Sequence, residues 1–142
     1  MTSALILHAS CVAVAGKGVL ITGPSGSGKS ALALQLMAYG ATLVADDRTA
    51  VHLRQGQIIA MPPATIQGMI EARFVGLLHV PNAQEAPVTL VVDMEQVETQ
   101  RLPEPHSTTV LDIPLPCLQK VNAPYFPAAI LAYLQGDRKE VR

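Results

Sequence analysis

Apolar and polar positions along the first half of this chain follow the period of strands, with one helix set among them. From Ala9 to Val14 the side chains alternate, as a strand with one buried face requires. Gly16-Lys17-Gly18 reads as a turn, and Val19-Leu20-Ile21-Thr22 as a second, buried strand. Ala31 to Met37 predicts a helix, with Gly40 placed to end it. Thr42 to Ala45 is a short apolar run closing on Asp46-Asp47. Thr49 to Leu53 and Gln57 to Ala60 form a hairpin pattern around Gln55-Gly56. Pro62-Pro63 breaks the pattern, and Thr65 is placed to cap a short helical turn through Glu71. Further strands are predicted over Val75–Val80, over Val88–Asp93 and over Val110–Leu115, the last edged by Pro114 and Pro116. Between them, Pro81 to Pro87 reads as loop and Glu95 to Ser107 as a flexible, proline-containing connection. Pro127 opens a final helix over Ala128–Leu134, closed by Gly136, and Asp137–Arg142 reads as a charged, frayed tail.

Two helices among seven or eight strands do not make the regular alternation of a doubly wound sheet. The expected class is α/β of the α+β kind, with a mainly β core. The 142 residues suit a single domain spanning 1–142. Hydrophobic residues make up 49% and aromatic ones 4%, with no Trp, so the core is aliphatic. A net charge of −1 without a basic stripe argues against nucleic acid or an anionic membrane surface as partner. Apolar runs stop well short of the ~18 residues that a membrane-spanning helix needs. Ala4-Leu5-Ile6-Leu7 is interrupted by His8 and lacks a positive segment before it, unlike a secretion signal. Cys11 and Cys117 are too few and too far apart for a metal site or a disulfide scaffold. A cytoplasmic protein is expected.

Candidate chemistry begins with Gly23-Pro24-Ser25-Gly26-Ser27-Gly28-Lys29-Ser30, a complete G-x-x-x-x-G-K-[ST] run between a predicted strand and a predicted helix. Glycines let the backbone curl so that its N–H groups converge on phosphate, and the helix N-terminus adds positive potential. In such a loop Lys29 reaches the β- and γ-phosphates, and the Ser30 hydroxyl faces Mg²⁺. Asp46-Asp47, at the end of an apolar run downstream, supplies what a Walker-B-like metal or water ligand and a proton acceptor need. The residues leave open which carboxylate does which. His8, Glu71 and Arg73 carry no function by type alone.

Together, His8, Gly16 to Thr22 running into the loop, Leu43 to Arg48, Pro62-Pro63, and Ile70-Glu71-Ala72-Arg73 followed by Gly76-Leu77-Leu78 resemble the bacterial HPr kinase/phosphorylase family in a short, catalytic-domain-only form. The resemblance covers about residues 5 to 118. It implies a fold like that of phosphoenolpyruvate carboxykinase and the HPr kinase C-terminal domain, a P-loop embedded in a mainly β core. It implies transfer of phosphate from ATP to a serine of an HPr-type phosphocarrier protein of a bacterial phosphotransferase system. Gly23, Pro24, Ser25, Gly26, Ser27, Gly28, Lys29 and Ser30 would bind the nucleotide, and Ser30 with Glu71 would hold Mg²⁺. Asp46 and Asp47 would supply the base, His8 would support them, Lys29 would stabilise the moving phosphoryl group, and Arg101 falls near the family's catalytic arginine. A homo-oligomer, a hexamer, is implied as well. The family's N-terminal domain is expected to be absent. Arg101 is followed by Leu102-Pro103-Glu104-Pro105 rather than a Gly-rich stretch, so phosphorylase activity is expected to be lost. Two other readings share the loop: a small-molecule P-loop kinase or NTPase, and a non-catalytic ATP-binding regulatory module.

Overall fold

A computed structural model of the chain describes residues 4–64 and 67–136. The expected helix cap at Thr65 and the expected frayed tail from Asp137 lie outside these residues. In chain order the elements are β1 (Ala4–Leu7), β2 (Ala9–Val14), β3 (Lys17–Thr22), α1 (Lys29–Ala38), β4 (Thr42–Ala45), β5 (Thr49–Arg54) and β6 (Gln57–Met61). They continue with β7 (Met69–Ala72), β8 (Gly76–His79), β9 (Ala86–Val97), β10 (His106–Val110), β11 (Ile113–Lys120) and α2 (Phe126–Gly136). The class is the expected one, a mixed fold of strands with two helices and the Gly23–Ser30 loop set in a mainly β core.

Strand order in the large sheet is β1-β5-β6-β9-β3-β2-β4, with β11 also pairing β9 and β10 pairing β11. β9 runs parallel to both β3 and β11, while the other pairs are antiparallel. A separate hairpin joins β7 and β8. The central strands are apolar because both of their faces are covered. Val12, Val19, Ile21, Leu90 and Val92 pack with Leu32, Leu36, Ile130 and Leu134 of the helices. On the opposite face Cys11, Leu20, Val44, Val51, Ile58 and Val91 form a second cluster. Val88 and Leu90 are two apart yet belong to opposite clusters. The register shifts between Gly18 and Val19 so that Thr89 has no partner, and this bulge turns β9 over.

The C-terminal ends of both helices find partners. Tyr39 N–H donates to Leu36 O, Gly40 N–H to Met37 O and Ala41 N–H to Leu36 O, which closes α1 at the expected glycine. Lys17 Nζ donates to Leu134 O at 2.6 Å, placing a cation on the last turn of α2.

Four expectations change. Residues 69–71 are strand, not helical turn, because Met69–Ala72 pairs with Gly76–His79 across a tight turn. The strand expected over Val110–Leu115 is broken by a hairpin turn, with Leu111 at φ 48 and Asp112 at φ 65. β9 runs on to Val97, and β10 begins at His106, so both ends of the expected flexible connection are strand. Ala4–Leu7, an apolar run with no assigned structure in the sequence, pairs with β5. Pro114 and Pro116 sit in the half of β11 that pairs β10, before its pairing with β9 starts at Cys117, so the missing N–H groups cost the second ladder nothing.

Two predictions follow from packing. A Cβ on Gly18 would stand 2.9 Å from the backbone carbonyl oxygen of Pro87. Gly18→Ala should therefore force β3 and β9 apart and cost about 1–3 kcal/mol, read as a lower urea midpoint; an unchanged midpoint contradicts this contact. Burial pushes the Cys11 thiol up to about 12. At neutral pH Cys11 should resist iodoacetamide in the native protein and react only on unfolding; native alkylation at the unfolded rate would show that the core is open there.

Candidate functional site

β3 ends at Thr22 and α1 begins at Lys29, so the Gly23–Ser30 loop bridges a buried strand and a helix N-terminus. Gly28 is the helix N-cap, at φ 99, a conformation that costs any side chain but not glycine. The first turn of α1 holds no acidic residue and no side-chain cap. Lys29 is only 6% exposed. Its Nζ folds back over the loop and donates to Gly23 O at 2.8 Å and Pro24 O at 3.1 Å. Ser27 N–H donates to Pro24 O, which tightens the turn. On the far side, Lys120 Nζ at the end of β11 donates to Ser27 O at 3.2 Å.

The carboxylate pair follows β4 in a bend. Alternate sides of a strand therefore do not separate the two side chains; the bend does. Arg48 N–H donates to Asp46 O at 2.7 Å, and Asp47 takes a left-handed φ of 69, which Asp tolerates better than most residues. Asp46 Oδ1 accepts from Ser30 Oγ at 2.6 Å and from Ser10 Oγ at 2.8 Å. Asp46 Oδ2 accepts from Glu71 N–H at 3.1 Å. Asp47 is turned outward, and its Oδ1 accepts from His8 Nε2 at 2.8 Å. Its own N–H donates to Ser10 Oγ at 3.1 Å. One carboxylate is thus embedded in donors, while its neighbour is more than half exposed with a single imidazole behind it.

A cavity of about 550 Å³ lies over this arrangement, lined by Ser25, Gly26, Gly28, Lys29 and Ser30 of the loop and by Asp47, Glu71 and Arg73. His8 stands at its edge through Asp47. Arg101 is not brought there: it is exposed in the connection between β9 and β10 and is not among the lining residues. Arg73 lines the cavity instead. Its signal in the sequence is the Glu71-x-Arg73 spacing, which the structure places at the end of β7 and in the turn that follows it. Ser10 is a residue the sequence did not single out. It is fully buried and bridges Asp46 to the backbone of Asp47; the available signal was its place two residues after His8 on the strand beside β4.

The oxygen donors at the cavity suit a hard cation. Ser30 and Glu71 line it and offer hydroxyl and carboxylate oxygens, Asp46 is bonded to Ser30 Oγ beside them, and among the described residues no group of three His, Cys, Asp or Glu side chains gathers into a protein-only metal cage. Mg²⁺ keeps waters and shares phosphate oxygens, so two or three such donors beside a phosphate loop fit it. Among the described residues no helix is long and apolar enough to cross a membrane.

Comparison with known proteins adds three findings. Residues 1–119 match the family described as HPr Serine kinase C-terminal domain. The chain is 45% identical over 76 residues to an HPr kinase/phosphorylase of Clostridium tetani, covering 54% of this chain and 25% of that protein. It is 40% identical over 96 residues to an HPr kinase/phosphorylase of Clostridium beijerinckii, covering 63% and 32%. The matched stretch thus spans a quarter to a third of the length of these curated relatives. The solved structure of the Hpr(Ser) kinase/phosphatase from Coxiella burnetii superposes with a TM-score of 0.77, covering 92% of this chain and 94% of that one. At 23% identity that likeness shows the fold.

The Ser10 bridge makes a prediction. Ser10→Ala removes the acceptor of a backbone N–H and one donor to Asp46. A loss of about 1–3 kcal/mol in unfolding free energy is expected from denaturant titration. A variant as stable as the parent would mean that water replaces the hydroxyl.

Proposed function

This chain belongs to the HPr Serine kinase C-terminal domain family, and on that premise we propose that it is a serine protein kinase. It moves the γ-phosphoryl group of ATP to a serine of an HPr-type phosphocarrier protein. The observation that carries the reading is the division of labour at Asp46-Asp47. Ser30 and Asp46 are hydrogen-bonded at 2.6 Å beneath the loop, and Asp47 with His8 faces the cavity.

Roles follow from this geometry. The N–H groups of Gly23 to Ser30 and the start of α1 receive the phosphates. Lys29 exchanges its two loop carbonyls for the β- and γ-phosphate oxygens. Ser30, Asp46 and Glu71 would hold Mg²⁺, which neutralises charge on the phosphates when bound. Asp47 accepts the proton of the attacking serine hydroxyl as its oxygen bonds to the γ-phosphorus. The bond from that phosphorus to the bridging oxygen breaks, and ADP leaves with the electron pair. His8 holds Asp47 in position. Arg73, rather than Arg101, stands where a second cation can face the moving group.

A protein acceptor, rather than a small one, is supported by the rim. Phe74 is 100% exposed at the tip of the β7–β8 hairpin, with Val75 and Leu77 beside it. This apolar tip adjoins Glu71 and Ala72 at the cavity mouth and suits contact with another protein surface. The direction is kinase alone. Pro103 and Pro105 stiffen the segment after Arg101 and remove two N–H donors, so it is poorly suited to close over phosphoserine and orient inorganic phosphate as the attacking group.

The test is incubation with labelled ATP, Mg²⁺ and an HPr protein, with the phosphorylated residue mapped. Lys29→Ala should weaken ATP binding by roughly one to two decades. Asp47→Asn should slow transfer by about 10²–10⁴-fold and leave ATP affinity nearly unchanged. Transfer at parental rate by the Asp47→Asn variant would falsify the assignment of the base.

A further inference from the structure

Among the described residues only Ser10, Lys29 and Thr49 are both buried and polar or charged. Lys29 belongs to the phosphate loop. The other two tie the bend after β4 to the start of β2. Ser10 Oγ donates to Asp46 Oδ1 at 2.8 Å and accepts from the Asp47 N–H at 3.1 Å. Thr49 Oγ1, on the far side of the bend, donates to Ala9 O at 2.8 Å. Buried polar groups destabilise a core unless they are bonded, so two such hydroxyls around one bend call for a reason local to it.

The bend itself supplies that reason. Arg48 N–H donates to Asp46 O at 2.7 Å across a single residue, Asp47, which stands at φ 69. This is the rarer hand of the γ-turn, and it is strained. Asp bears a positive φ better than most residues, yet such a conformation persists only where the surroundings enforce it. The Asp47 N–H is the handle by which they do so. It fixes the peptide plane from which the Asp47 side chain departs, and Ser10 Oγ holds it. Thr49, bonded to the carbonyl just before Ser10, keeps that stretch of β2 against the bend.

We infer that Ser10 is a positioning residue for phosphoryl transfer. Through the Asp47 N–H it keeps the Asp47 carboxylate turned to His8 and the cavity. The inference rests on the reading of Asp47 as the base. Without the hydroxyl the Asp47 N–H has lost its acceptor, and rotation of the peptide between Asp46 and Asp47 both relieves the strain and frees that group to find another partner. The same rotation swings the carboxylate away from His8 Nε2, which it meets at 2.8 Å. Asp46 still accepts from Ser30 Oγ and from the Glu71 N–H, so the phosphate and metal end of the site keeps its shape. The loss therefore falls on the transfer step and not on nucleotide binding, since displacing a reacting group by about 1 Å can cost about 10²-fold in rate.

Ser10→Ala tests this in two backgrounds. In the parent it should lower kcat for HPr phosphorylation by about ten- to hundredfold, with KM for HPr and ATP affinity within about twofold of parental. In the Asp47→Asn background it should change kcat by less than about twofold, because the group it positions has already lost its charge. A merely structural defect slows both backgrounds alike, and that result overturns the inference. The ring signals of His8 in the NMR spectrum give a readout independent of activity. Ser10→Ala should move them towards their position in Asp47→Ala; unmoved signals also overturn the inference. Ser10→Cys, nearly the same in shape but with a weaker hydrogen-bonding group, should produce smaller changes in the same direction. If the parent transfers no phosphate to HPr, the kinase reading fails, and the His8 signals still decide whether Ser10 holds Asp47.

Discussion

A single carboxylate, that of Asp46, holds the site in register. It accepts from Ser30 at the start of α1, from Ser10 on β2 and from the backbone of Glu71 on β7. These partners lie 16, 36 and 25 residues away in the chain. Hydrogen bonds to a charged acceptor are worth about 1.5–3 kcal/mol each, against about 1 for neutral pairs. Three of them on one side chain fix where the phosphate loop, the β2 strand and the β7–β8 hairpin meet. Ser10, fully buried, has few other partners for its hydroxyl. The outward turn of Asp47 is the other half of the same constraint. With Asp46 held by three donors and the bend set by the Arg48 N–H, the next side chain turns to the cavity.

The sheet beneath serves this junction. β3 is covered on both faces, with Val19 and Ile21 towards the helices and Leu20 towards the second cluster. A strand packed in this way cannot slide without moving apolar groups across the sheet. The bulge of β9 opposite Gly18 and Val19 matters for the same reason, since it presents Leu90 and Val92 to the helix side while Val88 stays on the other. The loop that follows Thr22 is therefore anchored to a strand buried on both faces. Loops on rigid supports are where functional groups are held best.

Much of this was legible because it is local. The glycines and lysine of the loop, the helix after it, the Gln55-Gly56 hairpin and the last helix are each specified by a few neighbouring residues. The Asp46-Asp47 pair was legible for its place at the end of an apolar run. What escaped was non-local or conformationally unusual. Ser10 is an ordinary residue type, and its role depends on Asp46 and Asp47 arriving from the far side of α1. The turn at Leu111-Asp112 escaped because Leu seldom adopts a positive φ. Met69 to Ala72 escaped because a four-residue strand carries too little periodicity to be told from a helical turn. Arg101 was implied only by the family resemblance; it is exposed and does not line the cavity, whose lining includes Arg73 at the β7–β8 turn. Geometry separates the two aspartates, one embedded in donors and one lining the cavity.

The uncapped start of α1 has a further consequence. Most helices satisfy their first N–H groups with a Ser, Thr, Asp or Asn side chain, but here Gly28 has none to give and no acidic residue follows in the first turn. The opening turn is left incomplete until an anion arrives, so a ligand there would add to the folding free energy of the helix as well as occupying a pocket. By linkage that increment grows with the logarithm of ligand concentration above Kd. Thermal melting of the protein would then gauge how much of such an anion surrounds it, and slow exchange of the α1 amides would be the local sign that the loop is filled.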